Sequence, residues 1–458
     1  MIPTTIPVGA RVDTKLGPAI VLGTENGQAR IRLEEHGIEV TISTADLRVI
    51  KTASSVRRGL ETVNRRPGWK REEPADPRQI GLRTIEALRF GLVPAAAIER
   101  LTIGFAALKA WASSRLPHGH DGEPLVSEIL GPFGTGKSHT MAAIRHIARE
   151  KGYLTAHAEV DGRFISLSDP ARLLFALCSN LAGRDLDSTT PILDVYLKAV
   201  ERQGKAPRLF ANIDRIGDNY RTVQYLVEND LLDEHGHLMD AILSSSNEVT
   251  ANEANRAIYP HKDLSAVWNG TLVRSLIGKR VADRPKDFIA ALVGHTLVAE
   301  QAGYSGLVIT IDEFEVEYGL PPDRFQRIQS LLGALSDYLA GDTELPDAPI
   351  AFFIASVRSN MKVGYPELDE LLSRANADSY ELEPLSTPHL RELGEKIHGL
   401  YTEVYGLDAK FDARFVERTL AALEVSDLDD SGRTRAFVKR YVAALDSHYG
   451  PGPNHTGA

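Results

Sequence analysis

The chain has 458 residues, 52 Lys and Arg against 62 Asp and Glu, and a formal net charge of −10. That length gives about two to three domains with ample core, and 25% charged with 43% hydrophobic residues is ordinary for a folded globular chain, while the acidic balance argues against a general nucleic-acid coating protein and leaves room only for a local basic patch. The single cysteine, Cys178, excludes an intrachain disulfide and zinc-type Cys/His spacing; with no membrane-length apolar run and no basic n-region before an h-region, the expected location is the cytoplasm.

Residues 1–50 come first. PVGARVDTKLGPAIVLGTENGQARIRLEEHGIEVTISTADLRVI carries short strand patterns separated by LG, NG and HG turn signals, which predicts a small antiparallel barrel of about five strands. It resembles the SH3- or Tudor-like modules attached to helicases and transcription-associated ATPases, and the resemblance implies a partner protein or nucleic acid as its ligand. Residues 51–77 read as a basic linker, with Lys51, Arg57, Arg58, Arg65, Arg66, Lys70 and Arg71 crowded between breakers in PGW and EEPADP. Such a run is either a solvated tether or a strip for nucleic acid on which Trp69 could stack. RQIGLRTIEALRFGLVP then predicts a helix ended by Gly91 and Pro94, and LTIGFAALKAWASSRL a second helix opening near Thr102.

GPFGTGKSHT, residues 131–140, fits G-x-x-x-x-G-K-[ST] without mismatch. Small residues let consecutive backbone N–H groups curl around phosphate oxygens, a lysine reaches the β/γ-phosphates, and the following hydroxyl ligates Mg²⁺. Context supports this over a plain turn. The apolar run LVSEIL precedes it, and HTMAAIRHIAREKG follows with helical spacing and Gly152 as a stop. Gly131, Pro132, Phe133, Gly134, Thr135, Gly136, Lys137, Ser138 and His139 are the candidate ATP-binding set, with Ser138 also a candidate Mg²⁺ ligand. YLTAHAEVD predicts a second strand, and Cys178 in ARLLFALCSNLAG reads as a small buried hydrophobe.

Residues 161–306 exceed what one crossover helix needs. TPILDVYLKAVERQGK and PKDFIAALVGHTLVAEQAG are amphipathic, so a helical insertion at about 184–285 is expected, with SSSNEVTANEAN as a loop. GLVITIDEFE (306–315) is an apolar run closed by Asp-Glu, as in a central parallel strand that delivers residues to the carboxyl edge of a sheet. Asp312 is the candidate second Mg²⁺ ligand and Glu313 the group that orients the attacking water; Glu315 and Glu317 read as solvated. APIAFFIASVRSN (348–360) predicts another buried strand, and YPELDELLSRANADSYELEPLS a helix ending in Ser373-Arg374 and then a fifth strand.

This order, P-loop, acidic strand, polar-ended strand, helix ending in Ser-Arg, strand and helical lid, resembles the AAA+ superfamily. The resemblance implies an α/β fold with a parallel sheet flanked by helices. It implies Arg374 as an arginine finger acting in trans, Arg435 (or Arg433) of SGRTRAFVKRYVAAL as the lid arginine on the nucleotide, and Thr102-Ile103-Gly104 as the segment behind adenine. A narrower likeness runs over about 78–446. RTIEALRFGLVP, GPFGTGKSHT, AEQAGYSGLVITIDEFE, VGYPELDEL and LYTEVYG resemble the ATP-binding proteins of BREX-type phage-defence systems. That implies an ATPase component of a multi-protein defence complex. The sensor-1 asparagine of AAA+ proteins is missing, with Ser356, Arg358 or Ser359 as substitutes.

The expected organisation is a barrel at 1–50, a linker at 51–77, the ATPase core at 78–385, a lid at 386–448 and a disordered tail, GPGPNHTGA, at 449–458. No C-terminal winged helix is recognisable, so any DNA contact is expected from the barrel, linker or insertion. Three functions follow: an oligomeric ATPase remodelling or switching a complex on DNA; a non-hydrolytic ATP-gated scaffold; and a small-molecule kinase with the insertion as its substrate lid. Glu313 favours the first over the second. The fused barrel and the Ser-Arg helix disfavour the third.

Overall fold

The computed structural model describes residues 11–14, 17–25, 28–33, 39–43, 48–51, 76–117, 122–161, 164–186, 190–203, 214–228, 231–245, 284–314, 321–357, 366–424 and 430–450. They divide into two units, Met1–Pro74 with Asp230–Glu234, and the remainder. The basic linker residues 57–71, the polar run 246–255, Glu315, Glu317, Arg358, Ser359 and the tail 451–458 lie outside the described residues.

The first unit is an antiparallel sheet of β1 (Arg11–Thr14), β2 (Gly17–Glu25), β3 (Gln28–Leu33), β4 (Glu39–Ser43) and β5 (Arg48–Lys51), in the order β4-β3-β2-β1-β5. Register pairs Glu25 with Gln28, which leaves two residues for the turn, as the Asn-Gly dipeptide requires. Along β3 the side chains alternate. Ala29 and Ile31 are buried, whereas Gln28 and Arg30 are exposed, so β3 turns one side inward and the other outward.

The second unit is built on a parallel sheet of β6 (Leu125–Leu130), β7 (Leu154–Glu159), β8 (Leu307–Asp312), β9 (Ile350–Ser356) and β10 (Asp378–Glu381), in the order β10-β6-β9-β8-β7. Both faces are covered, so β8 and β9 are buried at every position and read as continuous apolar runs. Because all strands run one way, Leu130, Asp312 and Ser356 end on the same edge. β9 lies between the strand before the glycine-rich loop and the strand bearing Asp312.

The P-loop helix, Lys137–Glu150, packs one face on this sheet. Met141, Ala143, Ile144 and Ile147 meet Ile129, Val308, Phe353 and Ala355 in one apolar cluster, and the alanines let helix and sheet approach closely. Before it, a short helix Ile98–Leu101 ends at Thr102, and a second begins at Phe105, running to Ser114. The sequence suggested an opening near Thr102. Thr102 is instead extended, its hydroxyl donates back to Ile98 O at 2.6 Å, and Gly104 takes φ 69° to restart the chain as a helix.

The three helices Thr387–Tyr405, Ala413–Glu424 and Asp430–Tyr449 share a core of Leu390, Ile397, Tyr401, Val416, Phe437 and Tyr441. Helix Pro77–Phe90 completes that core with Ile85 and Leu88. Arg89 fixes it by donating to both oxygens of Asp446, at 2.8 and 2.7 Å, and to the Tyr405 hydroxyl at 2.9 Å. A two-pronged Arg–carboxylate pair is geometrically selective, so it sets the docking angle as well as adding energy. The segment that precedes the sheet in sequence thus packs with the helices that follow it.

Among the described residues, five further helices, Pro170–Ser179, Pro191–Gln203, Asp214–Glu228, Leu232–Ser244 and Pro285–Gln301, fall between β7 and β8. Cys178 is buried among them as expected, and burial pushes its thiol pKa up. His295 is buried with both ring nitrogens paired: the Tyr196 hydroxyl donates to Nδ1 at 3.1 Å, and Nε2 donates to Leu243 O at 3.1 Å.

Candidate nucleotide site at the carboxyl edge of the sheet

β6 ends in the interior, and the loop that follows must turn at once into a helix. Gly134 and Gly136 take φ 78° and 100°, the left-handed region. Gly131 is needed for a different reason. A Cβ there would stand 2.7 Å from Thr135 Oγ1 and 2.9 Å from Leu382 O. Gly136 caps the P-loop helix without any side-chain hydrogen bond, so the first-turn N–H groups keep their donors for an anion.

Lys137 is buried at 8% exposure, and its Nζ lies 3.1 Å from Gly131 O and 3.4 Å from Pro132 O, over the Phe133 ring at 5.0 Å. The Thr135 hydroxyl also donates to Pro132 O, at 2.8 Å. The loop therefore wraps its own ammonium. Ser138 is exposed at the helix start, and Phe133 is 54% exposed. Uncapped N–H groups, an enclosed ammonium and open glycines form a cradle that fits phosphate oxygens.

Asp312 ends β8 at 4% exposure, and its Oδ1 accepts the N–H of Glu313 at 3.0 Å. Glu313 has φ 58°, a left-handed conformation costing a non-glycine residue about 1–2 kcal/mol. Backbone strain of this kind clusters at functional sites. Burial raises the Glu313 pKa above the usual carboxylate value; the charges of Asp312 and Glu159 push the same way, and Lys137 and Arg435 oppose them. Glu159 ends β7 in register with Asp312. One carboxylate thus feels both the loop lysine and the lid arginine.

The remaining sequence-derived residues fall into two groups. Thr102, Ile103, Gly104, His139 and Arg435 border this edge. His139 Nε2 is 2.8 Å from Thr102 Oγ1; that hydroxyl already donates to Ile98 O, so the imidazole is the donor. Burial depresses the His139 pKa to about 4, keeping it neutral. Ile103 packs on the lid core, and the Arg435 stem passes beside Gly91, where a Cβ would stand 2.9 Å from its Cγ. Arg433 donates instead to the Thr387 hydroxyl at 3.3 Å.

Arg374 belongs to the other group. It ends helix Pro366–Arg374 and is paired within its own chain, with Asp337 at 2.9 Å and with Asp342. Ser356, the one described sensor-1 substitute, donates its hydroxyl to Glu128, a buried carboxylate on β6 that also accepts from Ser379 at 2.9 Å.

Sequence reasoning passed over a polar seam behind Asp312. Arg145 of the P-loop helix donates to Thr310 Oγ1 at 2.8 Å and to His157 Nδ1 at 3.2 Å. Burial, then the nearby Arg149, lowers the Arg145 pKa to about 10, and Asp312 opposes that shift. The signal was present: an arginine among the alanines and isoleucines of a buried helix face.

Residues 77–345, more than half of the chain, match the model of the family described as BREX system ATP-binding protein BrxC/D. No curated protein matches the chain. The match takes in the glycine-rich loop, the P-loop helix and Asp312-Glu313 and stops before β9. Among the described residues no helix is long and apolar enough to cross a membrane. The chain is a member of the BrxC/D family of ATP-binding proteins of BREX phage-defence systems.

Proposed function

We propose that this family member is an AAA+ ATPase that hydrolyses ATP with Mg²⁺ to switch or remodel a cytoplasmic multi-protein defence complex, as a homo-oligomer acting on DNA. The observation that carries the reading is Glu313: a carboxylate on left-handed backbone at a buried strand end, next to Asp312 and under the opposing fields of Lys137 and Arg435. A scaffold that only binds nucleotide has no use for that strained residue.

In this reading the loop residues Gly131 to His139 and the Lys137 ammonium bind the phosphates, Ser138 and Asp312 would hold the metal, and Thr102-Ile103-Gly104 backs the adenine. Bound Mg²⁺ supplies charge neutralisation on the phosphate oxygens. Glu313 orients a water for in-line attack and accepts its proton, and the raised pKa brings it nearer the value a general base needs at neutral pH. Arg435 reaches the nucleotide from the lid, and Arg374 reaches the site of a neighbouring subunit. The N-terminal sheet as a closed barrel, the basic linker and the helical insertion are the proposed sources of DNA contact. The cis pairing of Arg374 with Asp337 and Asp342 favours a second reading in which the free chain is an ATP-gated scaffold and becomes hydrolytic only on assembly.

Glu313→Gln tests the proposal. ATP affinity by calorimetry should stay near that of the parent, while turnover falls by roughly 10²–10⁴, the usual contribution of a positioned base. Parent-like turnover would remove Glu313 from the chemistry.

A further inference from the structure

On the far side of the P-loop helix from the sheet, three metal-ligating groups converge that the ATPase reading does not use. Glu99 stands on helix Ile98–Leu101, and His146 and Glu150 stand one turn apart near the end of the P-loop helix. One ligand atom from each lies within 4.8 Å of the others. His146 Nε2 is 3.7 Å from Glu99 Oε2 and 3.6 Å from Glu150 Oε1. That nitrogen is shut off from solvent and has no hydrogen-bond partner. A buried ring nitrogen without a partner needs a reason.

We propose that Glu99, His146 and Glu150 bind a divalent transition-metal cation, Zn²⁺ by preference, that ties helix Ile98–Leu101 to the P-loop helix. Zinc takes imidazole nitrogen at about 2.0–2.1 Å and carboxylate oxygen at about 2.0–2.2 Å in tetrahedral array, so its ligand atoms stand about 3.4 Å apart. The two His–Glu separations exceed that by only a few tenths of an ångström. One nitrogen with two oxygens suits zinc better than Mg²⁺ or Ca²⁺, which prefer oxygen alone.

The surroundings favour a cation. Glu150 ends the helix and His146 stands one turn before it, near the end where the dipole attracts positive charge and a bare carboxylate is disfavoured. Lys109 takes the other oxygen of Glu150, Oε2, at 2.8 Å, which leaves Oε1 for the metal. Arg100, the next residue after Glu99, pairs with Glu403 at 2.6 Å on the wall of the neighbouring cavity. A cavity of about 400 Å³ lined by Glu99 and His146 opens beside the cluster and gives room for a water as the fourth ligand. Its other walls come from Ala96, Ala97 and Arg100 and from helices Pro77–Phe90 and Thr387–Tyr405. Three residues after Glu99 stands Thr102, which holds His139; the metal therefore stiffens the segment that, on the reading above, backs adenine.

The test is run without nucleotide or Mg²⁺, so that it stands apart from the ATPase reading. Chelator-stripped protein is titrated with Zn²⁺ by calorimetry, and metal retained after gel filtration is counted by mass spectrometry. Expected is one Zn²⁺ per chain, with Co²⁺ in its place giving the intense visible absorption of a tetrahedral site. Glu99→Gln and His146→Gln, each checked for a native circular dichroism spectrum, should weaken binding by more than about 10-fold, the loss seen even for a partner one layer out. Asp312→Asn should leave it unchanged. Glu99 is partly exposed, so its variant keeps the test decisive if His146→Gln misfolds. No stoichiometric uptake, or uptake that both variants leave untouched, would overturn the site.

Discussion

Two cations picked out by motif, Lys137 and Arg374, sit in opposite kinds of surroundings. Lys137 is buried, and main-chain carbonyls of its own loop hold its ammonium, at 3.1 and 3.4 Å. Arg374 is at the surface, held by the side chains of Asp337 and Asp342. A loop that encloses its lysine fixes that charge by covalent geometry. A surface ion pair is screened and contributes only about 0.2–1 kcal/mol, so a stronger partner can displace it. The first region is built as a site in the single chain. On the proposed reading, the second acquires its role only through another subunit.

The largest test of that difference is Arg374→Ala. Acting in trans, the arginine should contribute about 10³–10⁵ to turnover in the assembled state, with ATP affinity unchanged. Mixing this variant with Lys137→Ala should restore activity at a fraction of interfaces, measured as steady-state phosphate release. Turnover equal to the parent at every protein concentration would reduce Arg374 to a helix end.

A smaller effect separates the buried region from the solvated one by pH. His139, His157 and His295 are each depressed by burial to about 4 from an unfolded value of 6.5. A depressed histidine leaves the fold at full stability above pH 6.5. As pH falls from 6.5 toward 4 the unfolded chain takes up protons that the folded one cannot, and stability drops. Each group accounts for on the order of 3 kcal/mol by the acid end. Denaturant midpoints from pH 7.5 to 4.5 should show the fall, and His139→Gln should flatten part of it.

The smallest effect is that of Asp337→Asn with Asp342→Asn. Thermal unfolding should shift little, since exposed ion pairs are screened by solvent. The released Arg374 should bring on ATPase activity at lower protein concentration. An unchanged concentration dependence would mean that these carboxylates do not restrain it.

How much of this was legible follows the same division. β6, β8 and β9 were readable because both faces are buried and the runs are largely apolar, and the glycine-rich loop because its backbone demands leave few residue choices. Helix Pro77–Phe90 was readable as a helix, but the periodicity of Ile85 and Leu88 states only that a face is covered, not that the lid covers it. The restart at Phe105 was missed because a threonine hydroxyl bonding its own helix ends the turn early. Glu99 lies far from His146 in sequence, and only the fold brings them together.

The central claim is that the loop from Gly131 to His139, with its enclosed lysine, is the ATP site. Calorimetric titration of ATP into the parent and into Lys137→Ala tests it most directly. The parent should bind one ATP per chain, and the variant should lose at least about 30-fold in affinity, because a buried charge contact is worth roughly 2–5 kcal/mol. Parent-like affinity in a folded Lys137→Ala protein would contradict the assignment.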